Sequence, residues 1–348
     1  MNKTINNISA GIRTTPEQYQ PHNWFPLDIN NLYLTEHGTY IFDFGGNTTT
    51  NPQAANGNAK TPEYLIPQEN RDNTIIISFL YKSEPIESSS GRLSKEFEDD
   101  ALLLFQKTFK PLLFDSKGNM KSKQGIEKVF SKIIFSSHCG GANFVNIIIN
   151  EFYNTLIEKY SPATAEILIN KIQYFSYAPY EMPYHNVNGL IIAPYNDPNH
   201  SWAKALNLID DLGGVDNEYP KGIFNKISKA KNQFKLKEFF EKTFKTDTRA
   251  ISLKSNGITF IIPSSMNPDL RTGDHSRGIL SNQSLLFSNT ETSKTAKLIS
   301  TIAKSFFNNV SKNKNFDREN YFKRIISYLK GNPPISKTQT ETTSELQQ

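Results

Sequence analysis

Cys139 is the only cysteine in a chain of 348 residues. It stands in Ser137-His138-Cys139-Gly140-Gly141-Ala142, between the apolar run Lys132 to Ser136 (KIIFS) and the apolar-periodic stretch Ala142 to Tyr160. A strand that turns sharply into a helix is the setting of a nucleophile elbow. There the reacting residue adopts a strained backbone conformation, and small residues two before and two after it permit close packing. Ser137 and Gly141 hold those two places. The unpaired N–H groups and dipole at the start of the helix face Cys139 and favour the thiolate. The chemistry predicted is nucleophilic attack on a carbonyl carbon. A lone cysteine between glycines also occurs as a small buried hydrophobe, and the strand-turn-helix context is what favours the catalytic reading.

Other chemistries find no support in the residue pattern. One cysteine forms no intramolecular disulfide and excludes a four-cysteine zinc site, so the fold rests on packing and hydrogen bonds, as in a reducing compartment. The six histidines show no H-E-x-x-H spacing, and neither G-x-x-x-x-G-K-[ST] nor G-x-G-x-x-G occurs. No metal and no cofactor is expected. The 39 Lys and Arg against 34 Asp and Glu give a net charge of +5, with the bases concentrated in Lys221 to Lys245 and Lys294 to Lys330. A solvated helix face explains such stretches best. An acidic membrane surface is a partner they also allow, whereas no nucleic-acid motif accompanies them and no nucleic acid is expected.

The elements that must position Cys139 follow from apolar periodicity. Thr39 to Asp43 (TYIFD), Thr74 to Tyr81 (TIIISFLY), KIIFS, Ile172 to Ala178 (IQYFSYA), Gly189 to Ala193 (GLIIA) and Gly257 to Pro263 (GITFIIP) read as strands. Their continuous apolar character indicates a sheet buried on both faces. Phe97 to Phe109 and Ala142 to Tyr160 read as helices between them. This alternation predicts the α/β class, a mostly parallel central sheet flanked by helices, with ligands bound beyond the carboxyl ends of the strands. Residues 1–24 read as an irregular lead-in, 25–330 as a single domain and 331–348 as a disordered tail. Residues 46–70 read as a long polar loop, and 199–248 as a helical, aromatic and basic insertion.

At the elbow the sequence resembles the α/β-hydrolase superfamily, most closely its lipase and esterase branches, in which a string of the type G-H-S-x-G-G follows the fifth strand. Ser137 stands where the family has its first glycine, and Cys139 where it has the serine. The resemblance implies a triad ordered nucleophile, acid, histidine along the chain. It places the acid at Asp197, after GLIIAPYND, with Glu181 as the reserve, and the base at His275, in the loop Leu270-RTGDHSRG. It also implies an oxyanion hole built from the backbone N–H of Gly140 and from the glycine-rich turn Phe44-Gly45-Gly46. Asp197 reads equally as the cap of a helix beginning near His200, and His200 is the rival of His275. His138, next to the nucleophile, points into the fold on this reading. Asp43 and the FDFGG turn read equally as structural.

Two functions follow as expectations. The first is an acyl hydrolase or acyltransferase acting on an ester or thioester through a Cys-His-Asp triad, with the aromatic insertion covering an acyl-ester or lipid-like substrate. The alternative is a catalytically silent hydrolase-fold protein that binds a membrane surface or a partner protein. No secretory signal is recognised in Met1 to Gln20, so the expected location is cytoplasmic, or outside the cell by a route without a cleaved signal. The sequence sets no oligomeric state.

Overall fold

The computed structural model describes residues 8–13, 24–27, 38–46, 52–71, 74–81, 94–197, 199, 201, 216–217, 250–255, 257–263, 266, 274–286 and 288–310. In chain order its elements begin with β1 (Ile8–Arg13), β2 (Trp24–Leu27), β3 (Thr39–Phe44), α1 (Pro52–Leu65), α2 (Gln68–Arg71), β4 (Thr74–Tyr81) and α3 (Lys95–Leu104). A π turn and a 3-10 turn carry the chain from α3 through Leu113. Next come α4 (Lys123–Phe130), β5 (Ile133–His138), α5 (Gly141–Ile157), α6 (Pro162–Ile169), β6 (Gln173–Tyr177), β7 (Asn188–Ile192), β8 (Asp216–Asn217), β9 (Ala250–Ser255) and β10 (Ile258–Pro263). A 3-10 turn at Arg277–Ser281 leads into α7 (Gln283–Leu286) and α8 (Glu291–Val310).

One sheet runs in the order β2-β1-β4-β3-β5-β6-β7-β10-β9-β8. Its centre, from β4 to β10, is six strands paired in parallel, while β1 on one side and β9 on the other pair antiparallel to it. This is the mostly parallel, helix-flanked α/β arrangement that the strand and helix alternation predicts. Parallel strands need crossovers, and each crossover lays its helices on a face of the sheet.

The two-residue period of the strands divides their side chains between two cores. Tyr40, Phe42 and Phe44 of β3 point to one face, where Phe97, Phe144 and Phe152 of α3 and α5 meet them. The rings of Phe44 and Phe79 stack with centroids 4.5 Å apart. Ile41, with Ile134, Phe175 and Ile192, points to the other face, under α1 and α8. Helix α8 buries Ala296, Ile299, Ala303 and Phe307, a three-and-four spacing that makes one stripe, and leaves Lys294 and Lys297 exposed. Helices α3, α4 and α6 start at Ser94, Ser122 and Ser161, each accepting a backbone N–H from the first turn, which satisfies one of the donors that a helix start leaves open.

Three expectations are corrected. Residues 46–70 are not a loop throughout, because α1 and α2 occupy most of them. The sequence PQAANGNAKTPEYL carries Asn56-Gly57-Asn58 and Pro62, which disfavour a helix, and burial of Ala59 and Leu65 against the second core overrides them. The lead-in is not wholly irregular, since β1 and β2 form a hairpin on the sheet edge. Edge strands held by backbone pairing need no apolar run and leave little trace in the sequence. In the 199–248 insertion the described β8 is a strand paired with β9. The rest of the insertion beyond Asn199 and Ser201, and the 331–348 tail, lie outside the described residues. Among the described residues no helix is long and apolar enough to cross a membrane.

The elbow meets β3 in backbone contact. A Cβ on Gly141 would lie 2.3 Å from the Phe44 carbonyl oxygen and 2.4 Å from that of Gly45, so no side chain fits without moving the backbone. Gly141→Ala is therefore expected to lower stability by about 1–3 kcal/mol, read from urea unfolding. An unchanged midpoint would contradict this packing.

Candidate active site

Cys139 follows the carboxyl end of β5, which lies in the sheet between β3 and β6. Its φ is 52°, the left-handed region that a non-glycine residue enters only where neighbours enforce it. Those neighbours are identifiable. The Cys139 N–H donates to the Tyr177 carbonyl at 3.4 Å, and the Cys139 carbonyl accepts from the N–H groups of Tyr180 at 3.0 Å and Ala142 at 3.1 Å. Ala178, at the end of β6, shares the positive φ. Gly140 caps α5 without a side-chain bond, so the helix start is presented directly beside the thiol. Cys139 is 8 % exposed.

The glycine turn after β3 packs over the elbow. A Cβ on Gly46 would lie 3.2 Å from Cys139 Cβ and 3.2 Å from His138 Nδ1, which explains why glycine is tolerated there and larger residues would crowd. The Gly45 carbonyl is engaged by the buried Tyr81 hydroxyl, which donates to it. Burial, helped by the nearby Cys139 and Asp43, raises the Tyr81 phenol far above its ordinary range, so it remains a donor.

His275 arrives from the loop after β10. Its Nδ1 donates to Asp197 Oδ1 at 2.8 Å, and Cys139 lies near enough to the ring to raise its pKa. With Nδ1 taken by Asp197, the nitrogen left for the sulfur is Nε2. Burial pulls the imidazole pKa down, but the Asp197 hydrogen bond and the nearby Cys139 and Asp197 outweigh it and raise it to about 10. Burial likewise pushes the Asp197 carboxyl up, yet the bonds from His275, Ser201 and Asn199 prevail and hold it below the usual carboxylate range. Both carboxylate oxygens of Asp197 are engaged. Oδ1 takes the ring and the Asn199 N–H at 3.0 Å, while Oδ2 takes the Ser201 N–H at 3.3 Å, as a cap does.

The structure bonds His275 to Asp197 and brings the ring near Cys139, with Gly46 packed on Cys139 and Gly140 following it. It does not bring Glu181 to His275. Glu181 Oε2 instead accepts from Asn143 Nδ2 at 3.0 Å. His200 lies outside the described residues. His138 points into the fold, where its Nε2–H donates to the His275 carbonyl at 2.7 Å. Burial and the charge of Arg277 drive its pKa down to about 3, which keeps it neutral.

Sequence reasoning missed several groups. Asn199 Nδ2 lies 3.3 and 3.4 Å from the two nitrogens of His275. An in-plane approach equidistant from both would collide with Cε1, so the amide lies over the ring face. The Tyr177 hydroxyl donates to the Asp274 carbonyl at 2.6 Å. Arg277 forms a two-armed ion pair with Asp43, each arm 2.7 Å. The signals were present only in part: Asp43 was visible as a charge ending an apolar strand, and Arg277 as a cation two residues past the histidine. Among the described residues no group of three or more His, Cys, Asp and Glu is arranged to hold a metal ion.

No protein-family model matches the chain, and no curated protein matches it significantly. Among solved structures it is similar to a carboxylesterase from Mesorhizobium loti, with 11 % identity, a TM-score of 0.29, and coverage of 54 % of this chain and 79 % of the other. It is similar to TT1662 from Thermus thermophilus, with 7 % identity, a TM-score of 0.34 and coverage of 78 % and 89 %. An acetyl xylan esterase from Aspergillus awamori shows 9 % identity, a TM-score of 0.33 and coverage of 70 % and 87 %. Likeness at this level leaves the chemistry to be read from the site itself.

The two histidines next to Cys139 are expected to titrate in opposite directions, read by 15N NMR of the imidazoles. His275 should stay an imidazolium through neutral pH and deprotonate near pH 10, and His138 should stay neutral down to about pH 3. By linkage, stability from His275 is full below its unfolded value near 6.5 and is lost as pH rises through about 10. Stability from His138 is full above about 6.5 and is lost as pH falls toward 3. A neutral His275 at pH 7 would contradict the site electrostatics.

Proposed function

We propose that this chain is an acyl hydrolase or acyltransferase that acts on an ester or thioester through a Cys139 acyl-enzyme. The observation that carries the reading is the bond from His275 Nδ1 to Asp197 Oδ1, 2.8 Å, beside Cys139, a residue held at φ 52°. Side chains strained in this way at the end of a central strand are aimed outward at substrate.

The steps follow from the charges. With His275 an imidazolium beside it, the Cys139 sulfur attacks as thiolate, forming the C–S bond and moving the carbonyl electron pair onto oxygen. When that pair returns, the bond to the leaving oxygen or sulfur breaks, and His275 gives its proton to the departing group. Now neutral, His275 takes a proton from water or from an acceptor alcohol. The resulting nucleophile cleaves the C–S bond and restores the thiolate and imidazolium. Asp197 fixes the ring's tautomer and orientation and stabilises its charge.

The oxyanion needs two N–H groups, and peptide geometry selects them. Gly140, at the start of α5, supplies one. In a trans peptide the C=O and the following N–H point in opposite directions. Because Tyr81 holds the Gly45 carbonyl on its own side, the N–H of Gly46 faces away from Tyr81. The second donor belongs to the glycine turn of Gly45 and Gly46, of which Gly46 packs directly on Cys139.

Kinetics on a panel of p-nitrophenyl esters and acyl thioesters test this. Cys139→Ala and His275→Ala are expected to abolish turnover, and Asp197→Asn to lower kcat by about 10²-fold or more. If wild type and Cys139→Ala do not differ on any substrate, the alternative of a silent fold is the correct reading.

A further inference from the structure

His275 depends on its loop, and the loop is fastened to four strands. The Asp274 N–H donates to the Asn196 carbonyl beyond β7 at 2.9 Å. Tyr177 of β6 holds the Asp274 carbonyl and His138 of β5 holds that of His275. The fourth attachment differs in kind. Two residues past His275, Arg277 reaches under the sheet's carboxyl edge to Asp43 of β3, with both side chains buried, at 2 % and 0 % exposure. Ser136 of β5 completes the group, donating to Asp43 Oδ1 at 2.8 Å and accepting from Arg277 at 3.2 Å.

Asp43 lies one residue before Phe44 and three before Gly46, so whatever holds Asp43 also holds the turn that packs on Cys139. We propose that Asp43 and Arg277 are positioning residues whose buried ion pair sets the glycine turn and the His275 loop in one register across the elbow. Stability alone does not account for the pair. A buried ion pair is commonly no more stabilising than apolar side chains of the same volume, because both charges lose their water. What an apolar replacement cannot reproduce is direction. The planar guanidinium meets the carboxylate at two points, which fixes the rotation as well as the separation of the two segments. The charge of Arg277 also helps keep His138 neutral beside His275.

The inference rests on the reading of Cys139 and His275 given above, and one experiment separates the two. Because Cys139 is the sole cysteine, iodoacetamide alkylation of the full chain reports on it alone. In wild type, pairing with the imidazolium should keep the rate at pH 6.5 within about threefold of that at pH 9, whereas an ordinary thiol slows by roughly two orders of magnitude over the same range. The double variant Asp43→Leu/Arg277→Met removes both charges together and is expected to unfold near the wild-type midpoint in urea, yet to lose about tenfold of its relative rate at pH 6.5. Arg277→Lys keeps a charge without the fork and should fall between them, and it carries the test if the double variant does not fold. Wild-type pH dependence in the folded double variant, or in Arg277→Lys if that variant stands alone, would overturn the positioning role. A wild type that alkylates as an ordinary thiol would overturn the reading of the site itself, and this inference with it.

Discussion

At Cys139 the chain leaves β5 and turns into α5 through a left-handed residue, and the turn is possible only because two backbones nearly touch. The first residue of α5, Gly141, lies against the carbonyls of Phe44 and Gly45. That contact makes β3 and the start of α5 one unit. The same approach brings Gly46 against the sulfur-bearing carbon, so the thiol, the helix start and the glycine turn are placed by a single steric constraint. The two cores hold this constraint from either side. Phe44 and Phe144 stack beneath it on one face, and Asp43, Ser136 and Arg277 occupy the other. Strain at Cys139 persists because the neighbours over-determine it.

Electrostatics then distinguish two histidines that lie with ring centroids only 5.0 Å apart. His275 faces a carboxylate and a thiol and keeps its proton. His138 faces a carbonyl, lies near a guanidinium and stays neutral. Only one charged imidazole is therefore present at the elbow near neutral pH, which avoids the like-charge repulsion of two. The neutral ring serves the charged one by donating to its backbone carbonyl.

The central strands were legible because a parallel sheet covered on both faces writes continuous apolar runs into the sequence. Cys139 was legible because strand, small residues and helix are contiguous there. Asp197 and His275 were not readable from spacing. They were placed by resemblance to a triad order, and the structure brings them together across 78 positions of chain. Helix α1 and the β1–β2 hairpin escaped because tertiary contact, not propensity, decides them. Arg277 and Asp43 escaped for a further reason: they are 234 residues apart, and a single charge at each position carries no local sign of its partner. The Tyr81 hydroxyl, which fixes the peptide between Gly45 and Gly46 from another strand, left no local sign in the sequence either.

The proposed chemistry requires Cys139 to carry the acyl group. The most direct measurement is rapid acid quenching of the full chain with an acyl thioester, followed by intact and peptide mass spectrometry. The account predicts a mass increase of one acyl group on the peptide bearing Cys139, accumulating in wild type and hydroxylamine-labile as a thioester is. Turnover without any adduct at Cys139, or an adduct that persists in Cys139→Ala, would contradict it.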